Sequence, residues 1–238
     1  MRPGEGIVER RWKRPLQERF WNWRRVEDDA NLEFRVQQVD KQALVGLRLS
    51  DRTMRHRTYK ISHLPGSLRP TIARALVCLS SVEDGDTFLD PRCGAGTILI
   101  ERAMAGRQEM LIGGDISQDA IAHARANFGN RHKPWNIREW DATQLPLEDD
   151  TIDKIVSNLP WGRQYGSRAA LGRLYARFLL EVARVQRTNG KGVFLVGAWS
   201  EFRKALSATN GLRLVEHLKN ISVLGRRADI LVLKRTNR

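Results

Sequence analysis

The apolar positions change period along the chain, and the change divides it. Leu32-Glu33-Phe34-Arg35-Val36 and Ala43-Leu44-Val45-Gly46-Leu47-Arg48-Leu49 alternate apolar and polar residues, the period-two pattern of half-buried strands. From about residue 66, short apolar runs alternate with segments of helical period. Leu68, Ile72, Ala75, Leu76 and Leu79 share one face and predict a helix over 68–79. Thr87-Phe88-Leu89-Asp90 reads as a short strand, followed by a glycine turn and a helix over about 96–105. Residues 110–115 read as a second strand, and Ser117 is placed to cap a helix over 118–128 with Asp119 in its first turn. Third and fourth strands are expected over 136–140 and 152–157. Leu171, Leu174, Tyr175, Phe178, Leu179, Val182 and Val185 form the buried stripe of an amphipathic helix over 169–187, with Arg173, Arg177, Arg184 and Arg187 on its other faces. A fifth strand over 192–198 precedes a closing pair, 212–224 and 228–233, joined at Gly225-Arg226-Arg227.

Alternating strands and helices predict an α/β fold, a doubly wound and mostly parallel seven-stranded sheet with an antiparallel C-terminal hairpin. A small N-terminal extension containing strands precedes it. The expected boundary divides a basic, Trp-rich extension over 1–60 from the α/β domain over 61–238.

Charge narrows the class of partner. The 238 residues hold 41 Lys+Arg against 27 Asp+Glu, a net charge of +14 that favours a polyanion, nucleic acid first. Residues 1–60 carry 15 Lys+Arg and 9 Asp+Glu, so +6 of the total sits in a quarter of the chain. Trp12-Lys13-Arg14 and Phe20-Trp21-Asn22-Trp23-Arg24-Arg25 mix rings that can stack on bases with cations that can bind phosphate. The same rings would serve equally to pack this segment on the main domain. No apolar run approaches the roughly 18 residues of a membrane helix, and Met1-Arg2-Pro3-Gly4-Glu5 opens no signal-peptide core, so no membrane partner is expected. Cys78 and Cys93 lack the spacing of a zinc site or a disulfide framework, and the five histidines are scattered. No metal and a reducing, cytoplasmic setting are the expectation.

The glycine turn after the first strand carries the first chemistry. In Asp90-Pro91-Arg92-Cys93-Gly94-Ala95-Gly96-Thr97, Gly94 and Gly96 allow a tight turn and close backbone approach at a strand's C-terminal end, where doubly wound folds bind ligands. Leu99 stands where a dinucleotide site has its third glycine, and no Gly-Lys-Thr of a phosphate loop is present. A cofactor with a ribose and an adenine but no phosphate fits better, and S-adenosyl-L-methionine is that cofactor. Its amino group would lie near Asp90, its ribose on Asp115 at the end of the next strand, and its adenine against Asp141 after Trp140. Thr97, Ile116 and Ala142 complete the cofactor set with Gly94 and Gly96. Any one of these acids alone would read as a helix cap or turn residue; three at consecutive strand ends read as a site.

The turn Asn158-Leu159-Pro160-Trp161-Gly162 follows the fourth strand at the same edge. The Asn158 amide oxygen and a carbonyl of Leu159 or Pro160 can accept the two N–H bonds of an exocyclic base amine, while Trp161 offers a stacking ring. Such an amine is a poor nucleophile, so the catalytic trio Asn158, Pro160 and Trp161 would act by positioning and electrostatics. The base would have to leave its stack to enter.

The segments 90–101 and 158–163, with Leu64-Pro65-Gly66-Ser67-Leu68-Arg69-Pro70 upstream, closely resemble the THUMP-associated tRNA guanine-N2 methyltransferases. That resemblance covers about residues 60–235. It implies a Rossmann-like class I methyltransferase fold, S-adenosyl-L-methionine as donor and an RNA guanine amine as acceptor, with tRNA the expected substrate. By the same resemblance Asp90, Gly94 and Gly96 hold the methionine part, Asp115 the ribose, Asp141 the adenine, and Asn158, Pro160 and Trp161 the target base. The family pattern often has Met at the position of Arg92 and Tyr or Phe at that of Trp161. Residues 31–60 look at most like the end of a THUMP domain, so RNA docking is expected from the basic N-terminal segment or from a partner protein. The residues themselves leave two alternatives: an N6-adenine methyltransferase on DNA or RNA, and an inactive cofactor- or RNA-binding module.

Overall fold

In the computed structural model the described residues are 18–22, 32–39, 42–48, 57–162, 167–223 and 225–237. Of the positions singled out above, residues 1–5, Trp12, Lys13, Arg14, Trp23, Arg24, Arg25, Leu49 and Arg163 lie outside them. Two compact units form, residues 1–54 and 55–238.

In the first unit, β1 (Glu33–Val39) pairs antiparallel with β2 (Gln42–Arg48). Pairing sets Phe34 opposite Leu47 and Val36 opposite Val45, so these four exposed apolar side chains share one face of the hairpin. Glu33 and Arg48 close its open end as an ion pair. Trp21 is 86% exposed.

The second unit is built on one seven-stranded sheet. Its strands are β3 (Asp86–Asp90), β4 (Gln108–Asp115), β5 (Trp135–Glu139), β6 (Ile152–Asn158), β7 (Gln186–Val196), β8 (Leu212–Val223) and β9 (Arg226–Arg235), in the spatial order β5-β4-β3-β6-β7-β9-β8. The pairs from β5 to β7 are parallel and β9 runs antiparallel to both β7 and β8. Winding therefore proceeds outward from β3 to β5, then restarts at β6 on the other side. The strand order reverses between β3 and β6, which opens a crevice at their C-terminal ends.

Side chains alternate across the sheet. Phe88, Leu111, Ile137, Val156, Val193, Leu195, Ile230 and Val232 face α1 (Pro70–Leu79), α2 (Thr97–Ala103) and α3 (Gln118–Phe128). Leu89, Ile155, Phe194, Val196, Leu231 and Leu233 face α4 (Arg168–Val185) and α5 (Trp199–Ser207). Pro70 opens α1, Ser117 caps α3 by accepting from Ala120 N at 3.3 Å, and Ser167 caps α4 through Ala170 N at 3.1 Å.

Three local expectations change. Helix α4 ends at Val185 and the chain turns extended at Gln186, where it pairs with Ile152, so Arg187 sits on β7 and pairs with Asp153 at 2.8 Å. Arg184 is no free solvent cation: it pairs with Glu181 at 2.7 Å and Asp149 at 2.8 Å, and donates to the carbonyls of Leu145 and Leu147. Helix α5 was not anticipated, although Trp199, Phe202, Ala205 and Leu206 recur at helical spacing and pack on the core.

Candidate active site

The glycine turn leaves β3 at Asp90 and enters α2 at Thr97. Gly94 and Gly96 both have positive φ, 51° and 77°, which a side chain would strain. A Cβ on Gly96 would also press on Phe128 and Ala124 of α3 at 3.2 and 3.3 Å. Asp90 is buried, and its Oδ1 accepts from Ser157 Oγ at 2.8 Å and from Arg92 N at 3.2 Å. Burial pushes its carboxyl up to about 7, the nearby Asp115 adds to this, and the two donated hydrogen bonds oppose it. The neighbouring Cys93 thiol is pushed well up, first by burial and then by Asp90 and Asp115.

Asp115 ends β4 and spans the turn from the other side. Its Oδ2 accepts from Gly94 N and its Oδ1 from Ser117 N, both at 3.1 Å, which ties the glycine turn to the cap of α3. An ionised carboxylate has about four acceptor sites, so two ligand hydroxyls can still be received. Asp141 lies two residues beyond β5 with its carboxylate exposed, and its Oδ1 accepts from Thr143 N at 2.8 Å. Ala142 is buried behind it, Thr143 Oγ1 is buried with no partner among the described residues, and Ile116 is 63% exposed.

Trp140, which the sequence reading passed over, is the floor of this edge. Its indole Nε1 donates to Pro91 O at 3.1 Å, and its ring lies so close to Gly114 that a Cβ there would fall 2.0 Å from Cε2. The paired glycines Gly113-Gly114 ahead of Asp115 were the available signal. The segment before α1 crosses the back of the turn: Leu64 Cδ2 is 3.9 Å from where a Gly94 Cβ would stand, and Ser67 Oγ is 3.5 Å from Thr97 Oγ1. It is tied down by Lys60 on Ser67 and Leu68, by Asn127 on Ser62 and Ala95, and by Tyr59 OH and Arg57 Nε on the buried Glu101. Burial, reinforced by Glu101, raises the Tyr59 phenol far above its ordinary value, so it remains a donor.

Asn158 ends β6, next to the Ser157 that holds Asp90, so base turn and glycine turn share one edge. Trp161 Nε1 donates to Asn158 Oδ1 at 3.1 Å, and the ring packs on Gly197 just past β7, where a Cβ would meet Cγ at 2.5 Å. The Pro160 carbonyl is already engaged: the buried Tyr175 hydroxyl donates to it at 2.5 Å. Among the described residues nothing donates to the Leu159 carbonyl, so of the two carbonyls weighed above Leu159 is the open acceptor. Tyr175 had appeared in the sequence only as part of the α4 stripe.

Parallel strand order, crevice and glycine turn define a class I methyltransferase fold. The crystal structure of TrmN from Thermus thermophilus superposes with a TM-score of 0.75 at 25% identity, covering 96% of this chain and 67% of that one. The UPF0020 family profile, described as the RMKL-like methyltransferase domain, matches residues 57–227. The chain belongs to that family. It is 29% identical over 232 residues to the Bos taurus tRNA (guanine(6)-N(2))-methyltransferase THUMP3, covering 91% of this chain and 46% of that protein. It is 30% identical over 179 residues to the Bos taurus U6 snRNA (guanine-N(2))-methyltransferase THUMPD2, covering 74% of this chain and 34% of that protein. The chain spans about half or less of the length of these curated relatives.

Proposed function

We propose that the chain methylates the exocyclic N2 amine of a guanine in RNA, with tRNA as substrate. The observation that carries the reading is the shared edge: the Asn158 turn joins the Asp90 glycine turn through the Ser157–Asp90 hydrogen bond. The donor set fits S-adenosyl-L-methionine. Three carboxylates at successive strand ends suit a ligand with an ammonium, a ribose and an adenine, and repel a pyrophosphate. The unpartnered Thr143 Oγ1 and exposed Ile116 lie beside the strand end assigned to the adenine.

S-adenosyl-L-methionine, when bound, supplies the methyl group on a sulfonium. Asp90, ionised, would pair with its ammonium; Gly94 and Gly96 would admit the methionine part beside Thr97; Asp115 would accept from the ribose hydroxyls and Asp141 from the adenine amine. Asn158 Oδ1 keeps one lone pair for the indole of Trp161 and turns the other to the guanine amine. The Leu159 carbonyl takes the second N–H. Two aligned acceptors would orient the nitrogen lone pair away from themselves and stabilise positive charge as it grows on nitrogen, and the extra N–H proton would leave to solvent once the amine is alkylated. Pro160 and Tyr175 hold the turn that presents those acceptors. Trp161 lies beside the base.

The relatives named as tRNA methyltransferases, at about 30% identity, support guanine N2 over adenine N6. For RNA docking we assign the basic N-terminal extension, whose residues 31–60 are read as the end of a THUMP domain, with a partner protein as the alternative. The exposed Trp21 and the apolar face of the β1–β2 hairpin support this. The unpaired thiols of Cys78 and Cys93 support work in a reducing, cytoplasmic setting. The test is incubation with methyl-labelled S-adenosyl-L-methionine and total tRNA, followed by digestion to nucleosides. Label in N2-methylguanosine is expected. Label in N6-methyladenosine, or none in any RNA, overturns the reading.

A further inference from the structure

The hairpin that closes the sheet runs past the edge on which the site lies. Asp229 pairs with Val196, the last residue of β7, and β9 begins three residues earlier at Arg226. At the rise of a strand, Arg226 stands about 10 Å beyond the end of β7. Strand β9 is two positions from β6 in the sheet, so this tip lies about 10 Å to the side of Asn158. Between Glu216 and Asp229 the chain carries Lys219, Arg226 and Arg227 and no acid. All three are exposed, and among the described residues no carboxylate pairs with any of them.

The tip is held rather than free. Asp229 Oδ1 accepts from Asn220 N at 2.9 Å and its Oδ2 meets His217 Nε2 at 2.7 Å, which pins the irregularity between Leu218 and Ile221. This engages Asp229, the acid of β9 nearest the tip, with His217 and Asn220 of β8 rather than with the arginines. Arg227 donates to Asn220 O at 2.9 Å. Val223 and Ala228 are buried in the same apolar cluster against which Trp161 packs. The backbone of the tip is thus held and Arg227 with it, while Lys219 and Arg226 extend from it into solvent.

We propose that Lys219, Arg226 and Arg227 form a phosphate-binding surface that grips the RNA backbone flanking the nucleotide presented to Asn158. This rests on the RNA reading above. A base that leaves its stack for a pocket draws its own backbone to the rim, where fixed cations hold the strand in register. Arg226 and Arg227 follow one another on β9, so they leave opposite faces of the tip, and each guanidinium can engage a separate phosphate through its paired N–H donors.

The test compares the full chain with the Arg226→Ala/Arg227→Ala variant, measuring tRNA affinity from about 50 to about 200 mM KCl, the range over which phosphate contacts register most steeply. The variant is expected to bind at least tenfold more weakly at the low-salt end. Its slope of log affinity against log salt should be shallower by about 2, one contact per arginine. Cofactor affinity and melting temperature serve as controls for folding and are expected to stay at wild-type values. Arg226→Lys/Arg227→Lys should keep most of the slope. An unchanged slope in the alanine variant, or a loss of affinity equal at every salt concentration, overturns the proposal. A wild-type chain that binds no RNA overturns the RNA reading itself, so the two failures are told apart.

Discussion

Asp90 shows how one residue ties this site to pH. Its carboxyl is pushed up to about 7, chiefly by burial. An unfolded aspartate titrates near 4, so the native form holds its proton more tightly than the unfolded chain. The stability this group contributes is present below about pH 4 and lost as pH rises through about 7. Cofactor-free protein with Asp90→Asn should therefore melt above wild type at pH 8, with the gap closing toward pH 5, by scanning calorimetry. If Asp90 holds the ammonium as proposed, cofactor binding has the opposite sense, because that pairing needs the ionised carboxylate. Affinity for S-adenosyl-L-methionine should weaken about tenfold per unit below pH 7 in titration calorimetry, and Asp90→Asn should bind weakly at every pH. Tyr175 acts at the same scale. Tyr175→Phe leaves the buried Pro160 carbonyl without its donor, a loss of about 1–3 kcal/mol. It should lower kcat about tenfold at nearly unchanged cofactor affinity, since the turn it steadies is the one proposed to hold the base; equal loss of cofactor binding would place Tyr175 elsewhere in the mechanism.

At the scale of elements, indole rings seated on glycines set the geometry between strands. Trp140 joins the end of β5 to the turn after β3 and rests on Gly114 of β4. Gly114→Ala would put a methyl carbon 2.0 Å from that ring, so overpacking should cost about 1–3 kcal/mol. Cofactor affinity should fall with it, read by denaturant melts and calorimetry; a wild-type affinity would mean that the ring does not set the cofactor edge. Trp161 on Gly197 does the same for the base turn and in addition donates to Asn158. The elements themselves were largely legible in the sequence, because period and turn chemistry are local: β3, β4, α3, β6 and the closing hairpin lie where their patterns put them. Helix α5 and the start of β7 were not. The period of α5, Trp199, Phe202, Ala205 and Leu206, spans only nine residues directly after β7, and at Gln186 pairing with Ile152 overrides the helical period that reaches into it.

For the whole molecule the net charge of +14 is the widest-acting property. In the catalytic unit the arginines divide by pairing: Arg184 and Arg187 are spent on Glu181, Asp149 and Asp153, while Arg173, Arg177, Arg226 and Arg227 face solvent. Long-range attraction to a polyanion belongs to the second group and to the extension. Deleting residues 1–30 should weaken RNA binding and flatten its salt dependence, because fewer phosphates are neutralised. An unchanged salt slope by filter binding would mean that those cations do not touch RNA. Cofactor binding should survive the deletion, since the seven-stranded sheet and its crevice lie wholly within residues 55–238.

Contiguous residues determined the α/β class, the glycine turn, the acids Asp90 and Asp115 at strand ends and the Asn158 turn, because each is written within one strand and the turn after it. Only the tertiary structure decided which groups those residues meet. Ser157 reaches Asp90 across 67 positions of chain, Trp140 reaches Pro91 across 49, and Tyr175 descends from α4 onto Pro160. The arginines that open β9, which the sequence pattern placed in the turn, stand at this edge only through the register of β9 on β7 and β8. Such contacts depend on strand order and register, which are set by how both faces of the sheet bury their apolar side chains together. No single segment carries that information.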